Sequence, residues 1–297
     1  MNLSIIIVSW NVKEKLRECL RSVEETLSHN APQPPLTLRG GGVEVFVVDN
    51  ASKDGSVEMI KKEFPSVHVI ANDFNAGFAK ANNQAIKLSQ GRYVLLLNPD
   101  MRVFPGTLDG MVKFMDEPRN EKAGVAGCHL VSAAGETVPH VRRFPILKDQ
   151  LAIMLKVPHL FPRVLDRYMM ADFDYTKEAR VDSIRGSFFM IRREVLDKIG
   201  LLDEGFFIWF EEVDFCKRTI AAGYEVVYTP IAKCVDYVGQ SFKQVKFYPK
   251  QKMFTRSMVY YFKKHAPWWQ YRLLWISRPV ALSVAWIGDF IKSKMRT

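Results

Sequence analysis

The chain has 297 residues, 48% hydrophobic and 25% charged, an ordinary balance for a folded globular protein with room for one large α/β domain or two small ones. Cys19, Cys128, Cys216 and Cys234 are scattered without a C-x-x-C pair, which excludes a zinc ribbon or disulfide framework and suits a reducing cytosol. The net charge of +10 is uneven: Tyr237 to Thr297 holds 12 Lys/Arg and one acid, Asp289, while the first 236 residues sum to −1.

The first eight residues lack a basic start and a cleavage site and read as a strand rather than a signal peptide. Residues 12–27 read as a helix, with Leu16, Cys19, Leu20, Val23 and Leu27 at helical spacing. Three prolines and three glycines across 30–42 predict a loop insertion. Residues 43–48 form a second buried strand ending on Asp49, followed by a helix opened by Asp54-Gly55-Ser56 and closed at Pro65. Asp49 suits the N3–H of a uracil or thymine ring, or a ribose hydroxyl; an Asx turn through Asn50 and Ser52 accounts for it equally. After a third strand at 67–71, Asn75 and Gly77 turn sharply into a helix over 76–88. Its free N–H groups, with Lys80 nearby, suit a phosphate; a plain helix start is the other reading.

Tyr93-Val94-Leu95-Leu96-Leu97 then runs straight into Asn98-Pro99-Asp100. Five apolar residues fit a strand buried on both faces, and Pro99 stops its pairing. Asp100 therefore stands past the carboxyl end of a central strand, where open α/β sheets bind ligands, and suits a divalent metal carrying a phosphorylated ligand. Beyond it, the pattern predicts a helix over 107–117, a strand over 124–131, helical spacing over 146–170 broken by Pro158 and Pro162, a strand over 188–191, helices over 194–199 and 213–222, and a strand over 226–228. Alternating strands and helices mean right-handed βαβ units and a mostly parallel sheet.

Phe206 to Phe210 deliver Glu211, Glu212 and Asp214 within four positions. Glu211 and Asp214 can share a helix face; Glu211 and Glu212 cannot. Crowded carboxylates beside aromatics raise one pKa toward that of a working base; the alternative is an acidic first turn answering the helix dipole.

These segments, in order, resemble family 2 glycosyltransferases of the GT-A fold over roughly residues 3–240. Ser4 to Asn11 is similar to the family's first strand, which implies nucleotide contacts at Ser9 and Asn11. Asp49 falls on the nucleobase-binding aspartate, Asn75-Ala76-Gly77-Phe78 on the following helix, and Asn98-Pro99-Asp100 on the Asp-x-Asp metal motif. Gly186 to Arg193 and Phe210 to Asp214 match the acceptor-side block. Asn-Pro-Asp most resembles the bacterial rhamnosyltransferase-type branch, many of whose members use dTDP-L-rhamnose to extend cell-surface polysaccharides. The resemblance implies an α/β, GT-A type fold: a Rossmann-like, mostly parallel sheet flanked by helices. It divides the chain into a catalytic domain at 1–240, with a nucleotide-binding half at 1–105 and an acceptor-side half at 106–240, then a helical extension at 241–297.

The implied reaction is an inverting transfer from a nucleotide-diphosphate sugar to a hydroxyl of a glycan or lipid-linked glycan. Glu212 stands on the catalytic base, supported by Glu211 and Asp214. Asp49, Ser9, Asn11, Asn75, Gly77, Lys80 and Asn98 bind nucleotide, and Trp209 and Arg185 serve the acceptor. Asp100 holds a divalent metal, Mn²⁺ or Mg²⁺, joined by Asp236 where the family has a histidine. Glu212 itself departs from the family's aspartate by one methylene. Two other functions stay open: a degenerate nucleotide-binding scaffold, which turnover would eliminate, and a nucleotidyltransferase, which needs a Gly-rich basic loop where this chain has Trp10-Asn11-Val12-Lys13.

The tail interleaves basic and aromatic residues before an apolar stretch over 273–291. Arg278 and Pro279 near its middle make a spanning helix costly. An interfacial helix at the cytoplasmic face of a membrane fits instead, with a helix pair packed on the catalytic domain as the alternative. The tail is too apolar for nucleic-acid binding to be the simple reading.

Overall fold

Strand β1 (Leu3–Ser9) forms where an apolar run meets β-branched side chains, and it becomes the axis of the molecule. In the computed structural model, which describes residues 2–28, 37–38, 41–239 and 244–294, β1 pairs in parallel with β3 (Gly41–Asp49) and β5 (Tyr93–Leu97). Short β2 (Thr37–Leu38) pairs antiparallel with β3, and β4 (His68–Ala71) extends it in parallel. Most of the loop expected over 30–42 lies outside the described residues, as do Gln240 and Ser241. Between the strands run α1 (Lys13–Ser28), α2 (Ser56–Glu63) and α3 (Phe78–Ile86). Asp54 reaches across to cap α1, its Oδ2 accepting the Lys13 N–H at 2.8 Å, while its Oδ1 accepts from Ser56.

The second half adds β6 (Met101–Val103), α4 (Thr107–Asp116), β7 (Ala123–Val131), β8 (Val141–Arg142), α5 (Leu147–Met154), α6 (Asp166–Met169), β9 (Ala179–Arg180), β10 (Ser183–Ile184), β11 (Phe188–Arg192), α7 (Arg193–Ile199), α8 (Glu211–Ala221) and β12 (Glu225–Asp236). The large sheet has the order β2-β3-β1-β5-β11-β7-β12-β6, with β4 on β3 and β9 on β12. β1, β3, β4, β5, β7 and β12 point one way; β11 enters between β5 and β7 in the opposite sense. The sheet is thus mostly parallel and flanked by helices, as expected.

Side chains alternate across it. Ile5, Ile7, Leu95 and Leu97 bury against α1 and α4, while Ile6, Leu96 and Phe189 bury with residues of α3 and α8. At about 1.5–3 kcal/mol per buried side chain, these two layers make the sheet rigid enough to hold loops at its carboxyl edge.

Four boundaries differ from the sequence reading. Helix α3 begins at Phe78, not residue 76, because Gly77 has φ +83° and Asn75 Oδ1 accepts the Gly77 N–H at 3.0 Å. Helix α8 begins at Glu211, not residue 213, after Trp209 and Phe210 both adopt positive φ. The stretch 146–170 breaks into α5, two 3₁₀ turns at Val157–His159 and Pro162–Leu165, and α6, each turn carrying a proline. Strand β12 runs well past residue 228: the register shifts between Tyr228 and Lys233, where Pro230 sits, and pairing then resumes to Asp236.

The chain ends in α9 (Phe247–His265) and α10 (Trp268–Lys294), packed together, with α10 also against α5. Their inner faces join Phe206, Phe210 and Val213 in a third core with Met258, Tyr261, Phe262, Leu274 and Ala281. The tail is therefore a helix pair that shares a core with the preceding residues. Among the described residues no helix is long and apolar enough to cross a membrane.

Candidate active site

One cleft of about 630 Å³ opens at the carboxyl edge of the sheet, a size suited to a small organic ligand. The link from β5 to β6 brings Asn98, Pro99 and Asp100 into it. The link from β10 to β11 brings Arg185, Gly186 and Ser187, and the end of β12 brings Asp236. Asn75, Gly77 and Phe78 enter from the start of α3, and Trp209, Glu211 and Glu212 from the start of α8.

The loop before α8 is held tightly. Phe207 O accepts the Phe78 N–H at 2.7 Å, and a Cβ added to Gly77 would stand 2.5 Å from that oxygen. From the other side Ser257 of α9 donates to Ile208 O at 2.7 Å, and Phe254 packs edge-on to Trp209 at 5.9 Å. Positive φ at two successive bulky residues costs energy that this packing holds in place. The strain aims both glutamates into the cleft.

Glu211 is buried and Glu212 partly exposed, yet the Oε2 of each is shut off from solvent with no hydrogen-bond partner. Burial pushes both carboxyls above the usual carboxylate range. For Glu211 the neighbouring Glu212 adds to it; for Glu212, backbone N–H groups and the Arg185 charge hold the rise in check. This is the setting of a carboxylate that takes up a proton more readily than one in water.

Asp214 does not join them. It is fully buried, with Arg218 Nε of its own helix and Lys264 Nζ and His265 Nε2 of α9 each 2.7 Å from its carboxylate. Burial raises its pKa, but these partners outweigh that and hold it down at about 2. Asp214, expected to support Glu212, does not line the cleft: these three partners occupy its carboxylate.

Asp100 and Asp236 are brought to one wall by the β6–β12 ladder, where Met101 faces Asp236 and the Tyr237 N–H donates to Asp100 O at 3.1 Å. Among the described residues no group of three His, Cys, Asp or Glu could hold a metal. Two hard carboxylates still fit a Mg²⁺ or Mn²⁺ that draws its other ligands from phosphate and water. Asp236 also accepts from Arg185 Nη1 at 3.1 Å and Ser187 Oγ at 3.2 Å.

The nucleotide side departs further from expectation. Asn75, Gly77 and Asn98 line the cleft; Ser9, Asn11, Asp49 and Lys80 do not. Ser9 is fully buried beneath it. Asn11 Oδ1 accepts the Lys53 N–H at 2.7 Å, tying two loops together. Asp49 makes the Asx turn, Oδ2 accepting the Ser52 N–H at 2.8 Å, while its buried Oδ1 has no partner. Lys80 lies exposed, 5.8 Å over the Phe74 ring. The N–H groups of Ala76, Gly77 and Phe78 already donate to Asn50 Oδ1, Asn75 Oδ1 and Phe207 O, so this turn does not offer them to a phosphate. The cleft also holds Trp10, Asn50, Ser187, Val245 and Met253. Asn50 and Ser187 sat inside motifs singled out from the sequence; nothing local marked Met253, on a helix of the tail.

The sequence profile described as glycosyl transferase family 2 matches residues 4–200. The chain belongs to that family. It is 24% identical over 250 residues, 80% of each chain, to an N-acetylglucosaminyl-diphospho-decaprenol L-rhamnosyltransferase of Mycobacterium tuberculosis. It is also 24% identical to the rhamnosyltransferase WbbL of Escherichia coli, over 54% of this chain and 61% of that one. This glycosyltransferase thus falls in the rhamnosyltransferase-like branch. A mannosyltransferase from Pyrobaculum calidifontis, solved with GDP-Man and Mn²⁺, superposes with TM-score 0.58 at 18% identity, covering 100% of this chain and 76% of that one. Staphylococcus aureus TarS superposes with TM-score 0.52 at 18% identity over 87% of this chain and 66% of that one. These likenesses establish the GT-A fold.

Proposed function

We propose that this glycosyltransferase is inverting, with Glu212 as the base, and that it moves a sugar from a nucleotide diphosphate, dTDP-L-rhamnose by its branch, to a hydroxyl of a glycan or lipid-linked glycan during cell-surface polysaccharide synthesis. The observation that carries it is the unpartnered, desolvated Glu212 Oε2 in the same cleft as Asp100 and Asp236. Glu212 accepts the proton of the acceptor hydroxyl as that oxygen bonds to the anomeric carbon. The bond from that carbon to the diphosphate breaks on the opposite face, and the nucleoside diphosphate leaves with the electron pair. Glu211 orients the acceptor, and Trp209 offers its sugar ring an aromatic face. Asn75 and Asn98 supply amide groups for the nucleoside. Asp100 and Asp236 would hold Mn²⁺ or Mg²⁺, which when bound supplies Lewis-acid neutralisation of the leaving diphosphate.

A lipid-linked acceptor is supported by the name of the mycobacterial relative. The outer face of α10 presents Trp268, Trp275, Ile276 and Trp286 to solvent beside the basic residues of the tail, which suits the cytoplasmic surface of an anionic membrane.

Thermal unfolding with dTDP, UDP, GDP and CDP, each with Mn²⁺, Mg²⁺ or EDTA, tests the reading. A nucleotide at about 100 times its Kd stabilises by about 2.7 kcal/mol. Stabilisation by dTDP or UDP supports it; a folded protein indifferent to all four would sink it.

A further inference from the structure

We propose that Arg185 is a resident cation that competes with a divalent metal for Asp236 and passes to the donor diphosphate when the nucleotide binds, which frees Asp236 for the metal. The proposal rests on the donor-binding reading above and adds to it an exchange of charges within the cleft.

Asp236 Oδ2 accepts from both Arg185 Nη1, at 3.1 Å, and Ser187 Oγ, at 3.2 Å, while Oδ1 accepts the Val238 N–H at 2.7 Å. A carboxylate offers about four lone-pair sites, so three are taken. A metal approaching Asp236 therefore meets one remaining lone pair and a guanidinium against the other oxygen. The Asp236 side chain is 3% exposed and fixed, whereas that of Arg185 is 34% exposed and lines the cleft. Its other hydrogen bond, from Nη2 to Pro139 O, is long at 3.4 Å. Arg185 is thus the partner free to swing.

Charge sets the direction. The Arg185 guanidinium already pairs with Asp236, so a divalent cation pressed against that carboxylate meets a like charge. With Asn98 an amide, the metal reading relies on Asp236 beside Asp100, and Arg185 already pairs with Asp236. A nucleoside diphosphate reverses the balance: its oxygens give the guanidinium a bidentate anionic partner and the metal further ligands. Arg185 and metal exclude each other in the nucleotide-free protein and coexist once the diphosphate arrives. Metal and nucleotide binding are then positively linked, each tightening the other by the same factor.

Calorimetric titration of MnCl₂, dTDP and UDP into the full chain, the nucleotides with and without EDTA, tests this. In R185Q, Mn²⁺ binds the nucleotide-free protein about tenfold more tightly, and the nucleotide that wild type binds in EDTA is weakened about tenfold. R163Q removes an exposed cation outside the cleft and leaves nucleotide binding in EDTA near wild type. R185K keeps the charge, loses the forked contact and falls between; it carries the test if circular dichroism shows R185Q unfolded. Unchanged Mn²⁺ and nucleotide affinities in folded R185Q, with wild type binding nucleotide, overturn the exchange alone. Wild type that binds neither nucleotide even with Mn²⁺ overturns the donor-binding reading beneath it.

Discussion

At Glu212 a single carboxylate is asked to be a base, and its surroundings say how. Replacing it by glutamine keeps the shape and removes the proton acceptor. E212Q is expected to lower kcat by about 10²–10⁴-fold while the thermal shift with dTDP or UDP persists. Burial raises the Glu212 pKa, and a base works only when ionised. In wild type, kcat/KM is therefore expected to fall toward acid at a pH above the ordinary carboxylate range. Glu211 gives the complementary stability test. Its folded pKa lies well above the ordinary 4.5, so its contribution is complete below that value and is lost as pH rises through the folded pKa. E211Q, which never ionises, is expected to melt about 2–4 °C above wild type at pH 8 and near it at pH 4.5.

At the scale of elements, the join between α8 and α9 is an ion cluster. Asp214 balances Arg218, Lys264 and His265, and removing a buried partner strands the others. D214N is expected to destabilise by about 3–5 kcal/mol in urea unfolding, with Glu212 displaced and kcat reduced. Asp214 is held at about 2 against an ordinary 3.8. Its stabilisation is thus present above the ordinary value and lost as pH falls through the folded one, so the deficit in D214N is expected to shrink only as pH falls below the ordinary carboxylate range.

For the whole molecule, the question is whether the tail is separable. Its helices share a core with Phe206 and Phe210 and contribute Met253 to the cleft. A chain ending at residue 246 is expected to lose cooperative thermal unfolding and its nucleotide response together; an intact melt with full nucleotide binding would show the tail to be an appendage. The outward face of α10 makes a separate prediction. Co-sedimentation with phosphatidylglycerol vesicles is expected for wild type and to fall several-fold in W275S/I276S, with phosphatidylcholine vesicles binding more weakly.

The alternation of buried strands and amphipathic helices was legible in the residues themselves, because a strand covered on both faces must be apolar throughout. For the same reason Asp100 announced itself: a carboxylate that closes such a run has to stand at the sheet edge. Glu211 and Glu212 were legible as a costly crowding of charge that a site must use. What the tertiary structure decided were matters of direction and partnership. Asp214 is held toward the tail because Lys264 and His265 of α9 lie against its carboxylate. Asp236 reaches the cleft because β12 resumes beyond Pro230, which local propensity reads as a stop. Met253 belongs to the site only through packing between segments distant in sequence. Periodicity records which face of an element is buried; it carries no record of which distant element buries it.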